Sequence, residues 1–111
     1  MGIKDNKLTV EAGDLCEEVV DFLAQTGDVT SKKMFGGYGI FENGLMFALI
    51  NSKAELHFKV SDKNRQDFEK AGSSPYGKLP YWAVPKKVMD DDNLLLQWAQ
   101  TAIEVSREAR K

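Results

Sequence analysis

A chain of 111 residues, 42% hydrophobic and 29% charged, is long enough for one hydrophobic core and too short for two comfortable ones. Fifteen Lys and Arg against seventeen Asp and Glu leave a formal charge of -2, which offers no net attraction to a phosphate backbone and disfavours direct contact with nucleic acid. Cys16 is the only cysteine, so an internal disulfide is excluded and a reducing compartment is expected.

Residues 1–11 read as a loose polar lead-in in which only Leu8 and Val10 can pack locally. The opening MGIKDNKLTVEAGD lacks the apolar core of a signal peptide, and no run approaches the roughly 20 apolar residues of a membrane span. A soluble cytoplasmic protein without membrane contact is expected. From Ala12 the spacing becomes helical: Leu15, Cys16, Val19, Phe22 and Leu23 fall on one side, Asp14, Glu17, Glu18 and Asp21 on the other, and Gly27 ends the run. Four carboxylates spread along an exposed face converge on nothing and read as solvation. Cys16, at the flank of the apolar stripe, reads as a buried and inert thiol.

Lys32 to Ile50, KKMFGGYGIFENGLMFALI, reads as the middle of a sheet. Strands are predicted over Ser31 to Phe35, Tyr38 to Phe41 and Leu45 to Ile50, with Asn43-Gly44 as the two-residue hairpin turn between the last two. Leu45 to Ile50 is apolar without alternation, as in a strand covered on both faces by helices or by a partner subunit. The glycines fail as a phosphate loop. Gly39 and Gly44 have the right separation, but Leu45 and Met46 stand where Lys and Ser or Thr belong. Gly37-Tyr38-Gly39 meets Glu42 at the third glycine position and leads into a strand instead of a helix. A bend, a bulge or a close approach by another backbone or side chain is expected instead.

Glu55 to Val60 alternates, with Leu56, Phe58 and Val60 inward and His57 and Lys59 toward water. His57 is the only histidine, which removes any histidine-based metal cluster. Ser61 or Asp62 is expected to cap a short helix running to Ala71 and ended by Gly72. SSPYGK at 73–78 reads as a loop with little to bury, and Leu79 to Val84 as a fifth strand whose flanking Pro80 and Pro85 suit a sheet edge. Tyr76, Tyr81 and Trp82 could form a stacking platform, but core and edge packing is the simpler use of them. Asp90, Asp91 and Asp92 start the longest helix, Asp91 to Arg110, with Arg107, Arg110 and Lys111 complementing its far end. Its buried stripe is predicted as Leu95, Trp98, Ala99, Ala102, Val105 and Ala109, widened by Leu94, Leu96 and Ile103.

No repeat, low-complexity tract or linker interrupts residues 1–111, so one domain is expected. The element order gives an α+β fold: a largely antiparallel sheet of about five strands, with an N-terminal helix, a short middle helix and a long C-terminal helix packed against it. No catalytic, metal or cofactor constellation emerges, so a non-enzymatic protein is expected.

Lys33-Met34-Phe35-Gly36-Gly37-Tyr38-Gly39-Ile40-Phe41, then Gly44 and Met46-Phe47-Ala48, resembles the signature of the TfoX (Sxy) N-terminal domain family, known from bacterial regulators of natural competence. Phe58-Lys59-Val60, the 64–72 helix, Tyr81-Trp82-Ala83-Val84-Pro85 and the start of the last helix are similar in type and order. The resemblance spans roughly 15–105. It implies a fold like that of small secretion chaperones, and a regulatory or adaptor role in transcription or competence through protein contacts. The partner would be a transcription factor or RNA polymerase, with a homodimer among the expected assemblies. Lys33, Met34, Phe35, Tyr38, Tyr81 and Trp82 are the expected partner-binding residues. Competence regulators of this family carry a second, C-terminal helical domain, so a chain of this length is expected to be the first domain standing alone. A small-molecule-binding domain or enzyme built from the glycine bend and the aromatics is the alternative, and direct DNA binding is the third reading.

Overall fold

The computed structural model describes residues 12–34 and 36–110, with the backbone alone at position 110. The expected lead-in with Leu8 and Val10, the strand end at Phe35 and the charges of Arg110 and Lys111 lie outside those residues.

The elements run α1 (Ala12–Leu23), a 3-10 turn (Ala24–Thr26), β1 (Val29–Met34), β2 (Gly37–Glu42), β3 (Leu45–Ile50), β4 (Leu56–Lys59), α2 (Arg65–Lys70), β5 (Tyr81–Ala83), α3 (Lys86–Met89) and α4 (Asp92–Arg110). The strands form one antiparallel meander in sequence order, β1-β2-β3-β4-β5, as the α+β reading requires. Local chemistry accounts for the reversals. Asn43 and Gly44 have φ values of 53 and 85, both left-handed, as the two-residue turn between right-twisted strands needs. Met34 pairs with Gly37, so the β1–β2 reversal is equally tight, and Gly36 takes φ 76 within it.

α1 and α4 cover one face of the sheet. Leu15, Cys16, Val19 and Leu23 of α1, and Leu95, Ala99, Ala102 and Ile103 of α4, close over Ile40, Phe47, Ala48, Ile50, Leu56 and Phe58. A bulge lets β3 contribute so densely: Ile40 pairs with Ala48 but Phe41 with Met46, leaving Phe47 as the extra residue. Phe47 is fully buried, and its ring centroid lies 6.4 Å from that of Phe58. Asp91 caps α4, its Oδ1 accepting the N–H groups of Asn93 and Leu94 at 3.0 and 3.1 Å.

Several expectations are corrected. β1 starts two residues earlier than predicted, and β5 is trimmed to Tyr81–Ala83, at the sheet edge as expected. α2 begins only at Arg65, with Asn64 and neither Ser61 nor Asp62 at its N-cap; the Asn64 side chain turns back, its Oδ1 accepting from Ser61 N–H and its Nδ2 donating to the Lys59 carbonyl. The short α3 is an element the sequence does not signal, since Lys86–Met89 is too brief to show a period. Ala109 is exposed and Ser106 buried in its stead, its hydroxyl donating to the Ile103 carbonyl at 2.8 Å. Arg107 turns to a buried carboxylate in the sheet and does not serve the helix terminus.

His57 is the largest correction. It was expected in water and is only 4% exposed. The connection 71–80 folds back across the second face of the sheet, and the Tyr76 ring lies 5.0 Å from the imidazole, tilted by 52°. That loop therefore buries more than its composition suggests. It also explains the continuous apolar run of β3, which has helices on one face and, over Leu49, the loop on the other.

Candidate functional site

The β1–β2 hairpin is held close to its neighbours by its glycines. A Cβ on Gly37 would collide with the Ile50 carbonyl, and one on Gly39 would lie 3.0 Å from Met34 Sδ and 3.3 Å from Met46 Cε. The expected close approach is thus real: a backbone packs on Gly37 and two thioethers lie over Gly39. Cross-strand partners share a face, so Met34 and Met46 lie with Phe41 and Leu49 on the side away from the helices.

Between this hairpin end, β3 and the 71–80 loop is a pocket of about 330 Å³ lined by Met34, Tyr38, Leu49, Ile50, Asn51, Tyr76 and Leu79. Its walls are almost wholly apolar. Leu79, at 44% exposure, and Tyr76, at 38%, are the exposed large hydrophobic residues among those described. Asn51 fixes the floor: its Oδ1 accepts from the N–H groups of Lys53 and Glu55, and its Nδ2 donates to Glu55 Oε1 at 2.8 Å. With those bonds made, the amide braces the turn and presents little polarity to the pocket.

The expected partner-binding residues separate into two groups. Lys33 is exposed, Met34 lines the pocket, and Tyr38 is half-buried with its hydroxyl against the first turn of α1, where a Cβ on Gly13 would come within 3.1 Å. Phe35 lies outside the described residues. Tyr81 and Trp82 sit on β5, at the opposite edge of the sheet. Tyr81 is buried, its hydroxyl 3.4 Å from the Met46 carbonyl, and Trp82 packs edge-on against Phe68 with centroids 6.3 Å apart. The aromatic segment contributes Tyr76 to the pocket and the other two to packing. Leu49, Asn51 and Leu79 are pocket residues the sequence reading did not single out. Leu79, a large apolar residue beside a proline in a polar loop, was the available signal.

Burial governs the chemistry of the enclosed titratable groups. It pushes the Cys16 thiol up, pushes the Tyr81 phenol up to about 12 and pulls His57 below its ordinary value. Each shift favours the neutral form near pH 7, as suits packed side chains. Among the described residues, no three His, Cys, Asp or Glu side chains are grouped to hold a metal ion. No helix among them is long and apolar enough to cross a membrane.

Residues 21–106 match the family model of the TfoX N-terminal domain. No curated protein matches the chain.

Proposed function

The chain belongs to the TfoX N-terminal domain family, and from that premise we propose that it is a regulatory or adaptor domain of the bacterial cytoplasm, working by contact and not by catalysis. Its partner is a component of the transcription apparatus, a transcription factor or RNA polymerase, and its setting is the control of transcription or competence. The observation that supports this most is the family-signature hairpin itself. It forms one wall of an apolar pocket on the face that the helices leave open, and the lysines that precede Met34 on the same strand are exposed. Exposed apolar surface rimmed by polar groups is the usual form of a protein contact.

The test is affinity capture from the native cell with wild-type chain and with Met34→Glu and Leu79→Glu variants whose folding has been checked by circular dichroism. Recovery of RNA polymerase or a transcription factor with the wild type, and its loss with the variants, is the expected result. A strictly monomeric chain that recovers neither would end the proposal.

The pocket also supports a second reading, a binding site for a small apolar molecule, because about 330 Å³ lies at the lower end of ligand-site volumes. A thermal-shift screen of metabolites and nucleotides decides this one. A rise in melting temperature abolished by Leu79→Glu favours it, and no rise with any compound removes it.

A further inference from the structure

The two edges of the sheet differ in what their backbones are doing. At β5 the 71–80 loop occupies the edge: Pro75 bridges to Trp82, Tyr76 N–H donates to the Tyr81 carbonyl at 2.7 Å, and Ala83 N–H to the Ser74 carbonyl at 3.3 Å. At β1 the parity of the ladder follows from Asn43 N–H, which donates to the Asp28 carbonyl at 2.9 Å, and from Val29 N–H, which turns away to Gly27. Antiparallel partners alternate, so Thr30, Lys32 and Met34 address β2 while Ser31 and Lys33 direct both N–H and C=O outward. Among the described residues nothing pairs with those four groups.

The side chains of this edge are polar and positive. Thr30, Ser31, Lys32 and Lys33 are exposed. Lys32 shares the open face with Gly39, and Lys33 the helix face with Tyr38, so one ammonium stands on each side of the strand. Neither lysine makes an ion pair among the described residues, on a chain whose overall charge is -2.

We infer that β1 is a docking edge for an extended acidic segment of a partner protein, which adds to the sheet as a sixth strand through Ser31 and Lys33 and sets carboxylates beside Lys32 and Lys33. Charge decides the occupant. In a two-fold pairing of β1 with a second copy, the registers centred on Lys32 or Lys33 put like charges directly opposite each other, which is destabilising. The lysines that oppose those two registers favour a strand carrying Asp or Glu at its centre. This is strand addition, in which backbone bonds give affinity and side chains give selectivity. It rests on the regulatory reading above and names the chemistry of its partner.

The test uses the whole chain and a labelled peptide of about eight residues, Thr and Val flanking two central glutamates. Binding is read by fluorescence anisotropy at about 50 mM salt. Binding is expected to weaken about tenfold in the Lys32→Glu/Lys33→Glu double variant, which then accepts the matching peptide with two lysines. It is expected to vanish when the peptide amides facing β1 are N-methylated, and in Lys33→Pro, which lacks an outward N–H. The charge-reversed variant keeps the backbone intact and decides the matter alone if Lys33→Pro does not fold. No binding of the glutamate peptide below ~1 mM, or equal binding of its N-methylated form, overturns the inference. So does a dimer in light scattering that the charge reversal leaves in place. A transcription protein captured equally by wild type and by the charge-reversed variant sinks the edge while leaving the regulatory reading standing. Capture of none sinks both.

Discussion

Arg107 Nη2 lies 2.9 Å from Glu42 Oε2, tying the last turns of α4 to the end of β2. The pair is asymmetric: the Glu42 side chain is 6% exposed and the Arg107 side chain 55%. The second carboxylate oxygen of Glu42 has no protein donor among the described residues, so the arginine is its principal compensation. Arg107→Ala should therefore leave a buried carboxylate unpaired and cost about 1–3 kcal/mol. That is less than the loss for a fully buried pair, because the arginine is half in water. Arg107→Ala combined with Glu42→Leu should recover most of the loss. Urea denaturation of the single and double variants gives the cycle, and additive effects would show that the pair is not coupled.

Alanine at three glycines should separate three physical causes. At Gly37 the new Cβ meets the Ile50 carbonyl, a backbone atom that cannot yield without opening the β2–β3 ladder. A loss of about 3 kcal/mol or more is expected. At Gly39 the obstacles are the ends of Met34 and Met46, at 3.0 to 3.3 Å. Flexible thioethers can move, so about 1 kcal/mol is expected. At Gly44 there is open space, and only the left-handed φ of 85 opposes a side chain, for about 1 kcal/mol. Melting curves that rank Gly37→Ala no worse than Gly44→Ala would contradict the close packing assigned to β2.

What could be read from the sequence was local. The Asn43-Gly44 turn, the apolar stripe of α1, the Asp91 cap and the edge position of the proline-flanked β5 each depend on residues within a turn or two of one another. What could not be read depends on where a distant segment lands. His57 and Lys59 alternate as two water-facing residues of β4. The 71–80 loop returns to lay the Tyr76 ring on one of them, and nothing near His57 announces that. The pocket shares this origin, since Leu79 comes to Leu49 and Met34 through the same loop. The partner-binding expectation merged Tyr81 and Trp82 with the hairpin because both segments stand out as motifs. Three strands of the meander separate β1 from β5.

Stability should depend on pH through His57. Burial is the chief cause holding its pKa below the ordinary 6.5, against the opposing pull of the Glu55 carbonyl, 3.0 Å from Nδ1, and of the Glu55 charge. In the window between the lowered folded value and 6.5 the unfolded chain binds more protons than the folded one, so stability rises with pH there. The contribution is complete above 6.5 and is lost as pH falls through that window. Denaturation midpoints across about pH 5 to 8 should drop toward the acid side for the wild type and flatten for His57→Gln. Parallel curves would show that the imidazole is not the titrating group.

The cover over His57 can be tested separately from the imidazole. Tyr76 contacts it with its ring, and the backbone bond from Tyr76 N–H to Tyr81 survives loss of that ring. Tyr76→Ala should thus keep the loop's course while admitting water to the open face. Two effects follow from the one change. Loss of the ring contact should cost about 0.5–1.5 kcal/mol, and the His57 pKa should climb back toward 6.5 as desolvation is relieved. Because His57 is the only histidine, its imidazole signals in an NMR titration report this shift without ambiguity. A raised pKa in Tyr76→Ala, with a correspondingly shallower pH dependence of stability, identifies the loop as what keeps this face dry. An unmoved pKa would mean that the neighbouring strand side chains bury the imidazole unaided, and the pocket wall at Tyr76 would then be incidental to it.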